Sequence, residues 1–458
     1  MRAAALAASL LLLPVAARAA QTDPNDLDLA LYRDGGSSLR PTVSADYALF
    51  FESNAYLGKD VAVVGAPVGI WQEFALTPGL DGTLALESAG SIFARVSGAG
   101  AMTRSGLDAA GSNLEDRNPE RFALEDAYVG WRSGDLLESL GRDALEISVG
   151  KQPYEIGTGF LMWTGASNGG SRGAFWLGPR RAFYMSAIAK LDSGPWTAEL
   201  FYLRPNDEFR GGTELAGANF EYTAGDFGKL GVSYFNIYHS KQVQRDGMNA
   251  VDWRLDTTPL PSARAFSLNG ELAVEVNGAT GTGWSWWLEP GYAFETCPGA
   301  PFASYRYSYF SGDRASSANR FEAFDPLFYG DSDWSTWYIG EIIGEFVTVN
   351  RNGRVHTLRL RLEPTESLTV NLLYSDYSLD QRATEIVVRD QNPRAANISA
   401  KHLGQEFDLI SDWNATGHLS FTVSAAAFDP ASGARQYVGT TSHSWWTQFM
   451  LSAHLEFE

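Results

Sequence analysis

Arg359 and Arg361 stand two residues apart in the run Leu358-Arg359-Leu360-Arg361-Leu362. On a strand, this spacing puts both guanidinium forks on one face and the leucines on the other. Two such forks suit carboxylates or phosphates, which they bind in bidentate fashion. A second basic group, Arg172, Arg180 and Arg181, lies in a glycine-rich stretch with Phe175 and Trp176. Glycines let such a segment fold tightly against a wall, and the arginines are then placed to line a constriction. A solvated surface loop is the competing reading. Further basic candidates are Arg95, Arg132, Lys190 and Arg306, with Lys151 after Gly150. Asp126 joins them as an acid, together with Glu87, Glu199, Glu221, Glu271, Glu275, Glu289, Glu406 and Asp408. Rings of charge of this kind select ions in a narrow pore. The same charges could equally brace a wall through internal ion pairs.

Catalytic and metal chemistry find little to work with. The six histidines are scattered, without ligand spacing. Ser452 and His454 share a face, but two residues at i, i+2 arise easily by chance and do not make a triad. Asp325, Asp331 and Asp333 are a possible calcium loop without the EF-hand spacing. No cofactor is expected. The reading is therefore of a protein that binds or conducts rather than one that catalyses.

The elements that must position these charges are strands. From Thr42 onward the hydrophobic period is two. In the last segment Trp445, Thr447, Phe449, Leu451, Ala453, Leu455 and Phe457 share one face, and the mostly polar set Ser444, Trp446, Gln448, Met450, Ser452, His454 and Glu456 shares the other. Phe266, Leu268, Leu272, Val274 and Val276 likewise oppose Ser267, Asn269, Glu271 and Glu275. These runs exceed the usual strand and match the tilted membrane strand of about 9–11 residues. Short and long connections alternate, as in bacterial outer-membrane barrels. The fold predicted is all-β: a closed antiparallel transmembrane barrel of about 18 strands, with 16 also fitting. The strands begin near residues 42, 68, 83, 123, 144, 182, 196, 213, 228, 265, 284, 303, 334, 354, 367, 404, 418 and 444. Among the long connections are Ser97–Phe122, Pro153–Arg181 and His239–Arg264. Pro78–Gly82 is read as a short turn.

Whole-chain properties agree. Of 458 residues only 19% are charged, 13% are aromatic and 46 are glycine, a balance opposite to that of disorder. The net charge of −19 excludes a nucleic-acid partner. Cys297 is the single cysteine, so no internal disulfide exists. Arg2, the apolar run Ala3–Ala17 and Ala17-Arg18-Ala19 form a secretory signal pattern. Residues 1–19 are read as a cleaved signal, 20–41 as a polar leader and 42–458 as the barrel. The expected location is the outer membrane of a Gram-negative bacterium.

Four stretches carry a family resemblance. They are Leu124-Glu125-Asp126-Ala127-Tyr128-Val129-Gly130-Trp131, then Leu145-Glu146-Ile147-Ser148-Val149-Gly150-Lys151-Gln152, the run Arg172 to Phe183, and Phe324-Asp325-Pro326-Leu327-Phe328-Tyr329-Gly330. Together they resemble the alginate-export family of outer-membrane barrels. That resemblance implies an 18-stranded monomeric barrel with a charged lumen passing an anionic polysaccharide. Its implied partners are outer-membrane lipid, an anionic oligosaccharide or other small solute, and periplasmic export components. It also implies that the basic residues of the Gly-Lys-Gln and Arg-Gly-rich stretches help select the anion. The family pattern has arginine where Lys151 stands. Strict alternation would turn Lys151 to lipid with Ile147 and Val149, unless Gly150 marks a bulge or Lys151 lies at the rim. The alternatives kept are a general or small-solute porin and a structural or adhesive surface barrel.

Overall fold

The structure is a computed structural model. It describes residues 30–58, 68–104, 118–166, 172–206, 212–260, 263–278, 281–314, 321–330, 340–382, 385–386, 394–395 and 398–457. The signal stretch 1–19 therefore lies outside the described residues.

Eighteen long strands form one antiparallel sheet. In chain order they are β1 (Ser37–Ser53), β2 (Val68–Ala85), β3 (Ser91–Arg104), β4 (Glu120–Arg132), β5 (Leu145–Pro153) and β6 (Ala182–Ser193). Next come β7 (Trp196–Arg204), β8 (Glu214–Thr223), β9 (Gly228–His239), β10 (Asn249–Thr257), β11 (Phe266–Asn277) and β12 (Gly281–Ala293). The last six are β13 (Phe302–Phe310), β14 (Gly353–Thr365), β15 (Leu368–Leu379), β16 (His402–Asn414), β17 (Leu419–Pro430) and β18 (Trp446–Phe457). Each pairs with its neighbours in sequence, and β18 pairs with β1 from Val43–Phe457 to Ser53–Thr447, which closes the barrel. Closure satisfies every ladder without leaving an edge, as a strand-built membrane protein requires.

Alternation sorts the side chains. Ile70, Leu76, Leu80, Phe122, Leu124, Leu200, Leu272, Leu358, Leu360 and Phe407 are exposed on the outer wall. Their neighbours Trp71, Glu73, Glu271, Arg359, Glu406 and Asp408 are buried on the inner one. Exposed apolar area on this scale marks a lipid-facing surface. Connections at one end are short: Gly194-Pro195, 224–227, 366–367 and 415–418. At the other end they run through 154–181, 311–352 and 380–401. In outer-membrane barrels the short turns face the periplasm and the long loops face outward.

The number of strands agrees with the sequence expectation, but several placements do not. The stretch Pro78–Gly82 is not a turn: β2 runs through it, and the β2–β3 pairing only skips Thr77 and Pro78. Proline has no N–H for the ladder, so the defect is local rather than a chain reversal. The reversal lies instead at Glu87–Ala89, and β3 occupies part of the expected loop Ser97–Phe122. β10 was also expected to be loop. The expected strand from 334 begins outside the described residues, and the residues after it turn through a short helical segment, Gly344–Thr348. The expected leader also differs: a short strand, Tyr32–Asp34, pairs with Ser37–Leu39, so β1 starts five residues before Thr42.

Candidate functional site

The inner wall carries the predicted charges in ion pairs. Arg95 bridges Asp81 at 3.3 Å and Asp126 at 3.2 Å. Arg132 pairs with Glu146 at 2.7 Å and lies 4.2 Å over Phe93. Lys190 meets Asp192 at 3.1 Å. Arg306 is fully buried between Glu289, at 2.8 Å, and the face of Trp287. A charge buried at this depth persists because it is paired and hydrogen-bonded. Arg359 donates to the neutral Asn371 Oδ1 at 3.0 Å. Arg361 pairs with Glu363 on its own strand at 3.1 Å, with its side chain 36% exposed. The structure therefore places Arg95, Asp126, Arg132, Lys190, Arg306, Arg359 and Arg361 on the inner face. Sequence reasoning passed over Arg254 because β10 was read as loop. It joins Asp252 at 2.6 Å and Glu221 at 3.3 Å. The alternation Ala250, Asp252, Arg254 against Val251, Trp253, Leu255 was the signal for it.

Lys151 is turned by a bulge. The β5–β6 register shifts between Gly150 and Gln152, and Gly150 has φ +130°. Only glycine adopts that conformation without strain. The facing strand shifts too, between Ser97 and Gly98 where β4 passes Glu125. Lys151 and Glu125 consequently pair at 3.4 Å, both side chains nearly buried, and Lys151 also donates to the Leu124 carbonyl. Of the two alternatives the sequence left open, the bulge is the one realised.

Arg172, Arg180 and Arg181 belong to the segment 154–181, whose described residues fold into the barrel rather than over its surface. Arg172 is buried and donates to the Asn206 carbonyl. Arg180 donates to the Phe175 carbonyl at 3.4 Å. Arg181 pairs with Glu155 at 3.1 Å and stacks 3.9 Å from the Trp163 ring. These arginines fasten the loop to itself and its neighbours. Gly169, Gly170 and Ser171 lie outside the described residues.

Wall carboxylates hold the inward loops. Glu73 accepts the backbone N–H groups of Phe175, Trp176 and Leu177 at 3.1, 2.8 and 2.9 Å. Glu406 accepts those of Ile342 and Ile343 at 2.8 Å each. Glu275 accepts the Asp325 N–H at 2.8 Å, Glu271 the Thr158 hydroxyl at 3.0 Å and Glu199 the Tyr154 hydroxyl at 2.9 Å. Charge-assisted bonds of this kind are about twice as strong as neutral ones. Much of the acid surplus on the inner wall is thus engaged by loop groups. Glu73 was missed, although Ile70, Phe74 and Leu76 facing outward imply that it faces inward.

Apolar packing completes the insertion. Phe50 stacks on Trp71 at 4.8 Å and Trp176 at 5.3 Å, and Phe346 stacks on Trp446 at 5.6 Å. Phe160 stacks on Phe324 at 5.8 Å. Two loops are also tied by backbone: Phe328 donates to the Leu161 carbonyl at 2.9 Å and Trp163 to the Phe328 carbonyl at 2.8 Å. Of the possible calcium loop, Asp331 and Asp333 lie outside the described residues, and Asp325 is engaged by two arginines. It accepts both Nε and Nη2 of Arg245 at 2.7 Å and Nη2 of Arg351 at 3.0 Å. Burial alone would raise its carboxyl, but the two guanidinium groups outweigh that and hold it well below the usual carboxylate range. Among the described residues no group of histidine, cysteine and acidic side chains could hold a metal ion.

A closed lipid-facing barrel with a charged inner wall and inserted loops defines an outer-membrane channel. The family model described as alginate export matches residues 84–448, and the chain belongs to that family. Solved structures agree in fold. The outer-membrane protein OpdK of Pseudomonas aeruginosa shares 10% identity with a TM-score of 0.57, over 91% of this chain and 98% of that one. Its complex with vanillate gives 11% and 0.55 over the same shares, and OccK5 (OpdH) of Pseudomonas aeruginosa gives 12% and 0.51, again over 91% and 98%. No curated protein sequence matches the chain. The protein resides in the outer membrane of a Gram-negative bacterium.

Proposed function

We propose that the chain conducts an anionic oligosaccharide or polysaccharide across the outer membrane. The observation that supports this best is the inward pair on β14. Arg359 is held by the amide of Asn371, and Arg361 is partly exposed beside a somewhat more exposed Glu363. An exposed ion pair is worth at most about 1 kcal/mol, so a passing carboxylate can replace Glu363 at little cost. Family membership supports the same substrate class. The basic residues Arg95, Arg132, Lys190, Arg359 and Arg361 would then form the wall along which the anion moves, buried Arg306 would brace it, and Arg172, Arg180, Arg181 and Lys151 would hold the constriction in shape.

A small-solute channel is the second reading, and the similarity to OpdK with vanillate bound favours it. Planar-bilayer recordings separate the two. Blockade by uronate oligomers that lengthens with chain length supports the polysaccharide. Blockade by simple aromatic carboxylates alone supports the small solute. The absence of any conductance in all preparations would reject both.

A further inference from the structure

The inner wall changes character along the barrel. Near the extracellular end, seventeen of the eighteen strands have at least one inward side chain less than 9% exposed, among them Phe50, Trp71, Phe183, Leu215, Phe310 and Trp446; on β4 the buried inward side chain, Asp126, lies at mid-strand. Toward the periplasmic end the inward side chains of Arg132, Lys190, Lys229, Arg361 and His454 are 36–54% exposed. Water in a pore wets the wall it runs along. Among the described residues the outer third of the wall is dry except at Arg121 and Ala123 of β4, which are partly exposed, whereas the inner part carries most of the exposed inward charges. The dry level coincides with the loop residues Phe160, Phe175, Phe324, Ile342 and Phe346, all buried.

Three pieces of loop meet at one carboxylate there. Arg245 comes from the β9–β10 connection, Asp325 from 321–330 and Arg351 from the segment leading into β14. The other wall carboxylates grip single segments; Asp325 joins segments to one another through side chains.

We propose that the lumen rests sealed at its extracellular end by these loops, open as a vestibule to the periplasm, and that Asp325 is the latch of the seal. Opening requires residues 321–330 to leave Arg245 and Arg351, which opens a path between the loops. This rests on the channel reading above and adds its regulation.

The test is single-channel recording of the full barrel in planar bilayers, for the native protein, Asp325→Asn and Arg351→Gln. Folding is checked by the shift in gel mobility between unheated and boiled samples. Asn cannot hold two guanidinium groups, so open probability should rise roughly tenfold or more in Asp325→Asn, and less in Arg351→Gln, which keeps the Arg245 pair. A native protein that conducts steadily, with both folded variants indistinguishable from it, overturns the latch while leaving the channel standing. If Asp325→Asn does not fold, Arg351→Gln decides alone: a raised open probability supports the latch and an unchanged one overturns it. A further variant with 321–330 replaced by a glycine-serine linker separates the failures. If it folds and still passes no current, the channel reading itself fails.

Discussion

His454 of the last strand and Asp46 of the first face each other across the seam that closes the barrel, Nδ1 to Oδ1 at 2.6 Å. The other ring nitrogen lies 3.4 Å from Glu456. With an acceptor at each nitrogen, the ring is placed to donate twice, which requires the imidazolium form. His454 is nearly half exposed and Asp46 about a quarter, so the contribution of the pair is small. His454→Gln should lower unfolding stability by less than about 1 kcal/mol, visible as a small shift in the urea midpoint. No shift at all would show that strand pairing alone holds the seam.

Lys151 and Glu125 sit in facing bulges with little solvent. Lys151→Met should destabilise the barrel by about 3–5 kcal/mol, because it strands a buried carboxylate. Adding Glu125→Gln should recover most of the loss. A single variant as stable as the native protein would mean that water reaches Glu125.

Glu73 pins the segment 175–177 through three N–H groups. Glu73→Ala leaves those donors without their acceptor, at about 1–3 kcal/mol each. Trypsin should then cut faster after Arg180 or Arg181 in otherwise intact barrels. Unchanged cleavage would show that aromatic packing suffices to hold the loop.

Arg359→Gln with Arg361→Gln removes two inward positive charges. Fixed charge acts over roughly 10 Å at 0.1 M salt. The reversal potential under a salt gradient should therefore move toward cation selectivity, most clearly at low salt. An unchanged value would place the pair away from the ion path.

The Asp325 carboxyl, held low by Arg245 and Arg351, fixes the sign of an acid effect. A depressed folded value means that the stabilisation is fully present above the unfolded value of about 3.9 and is lost only as pH falls further. Hydrogen exchange over residues 321–330, corrected for intrinsic rate, should stay equally protected between pH 7 and pH 4.5. Loss of protection within that range would mean that another group controls the segment.

The sequence determined the barrel, because a period-two pattern with lipid outside leaves an antiparallel strand no other face to bury. That is why Arg359, Arg361, Arg306, Glu271 and Glu406 were rightly assigned to the inside from alternation alone. The same rule, applied strictly, turns Lys151 outward, since a bulge shifts the phase by one residue and is written only in the pairing with β6. It also read β10 as loop because polar inward residues resemble loop composition when their apolar partners are few. What the inward charges touch was decided by tertiary structure alone. Glu73 meets Trp176 103 positions away and Arg245 meets Asp325 across 80. Such contacts depend on loops folding back into a closed lumen, and that return path leaves no local period in the chain.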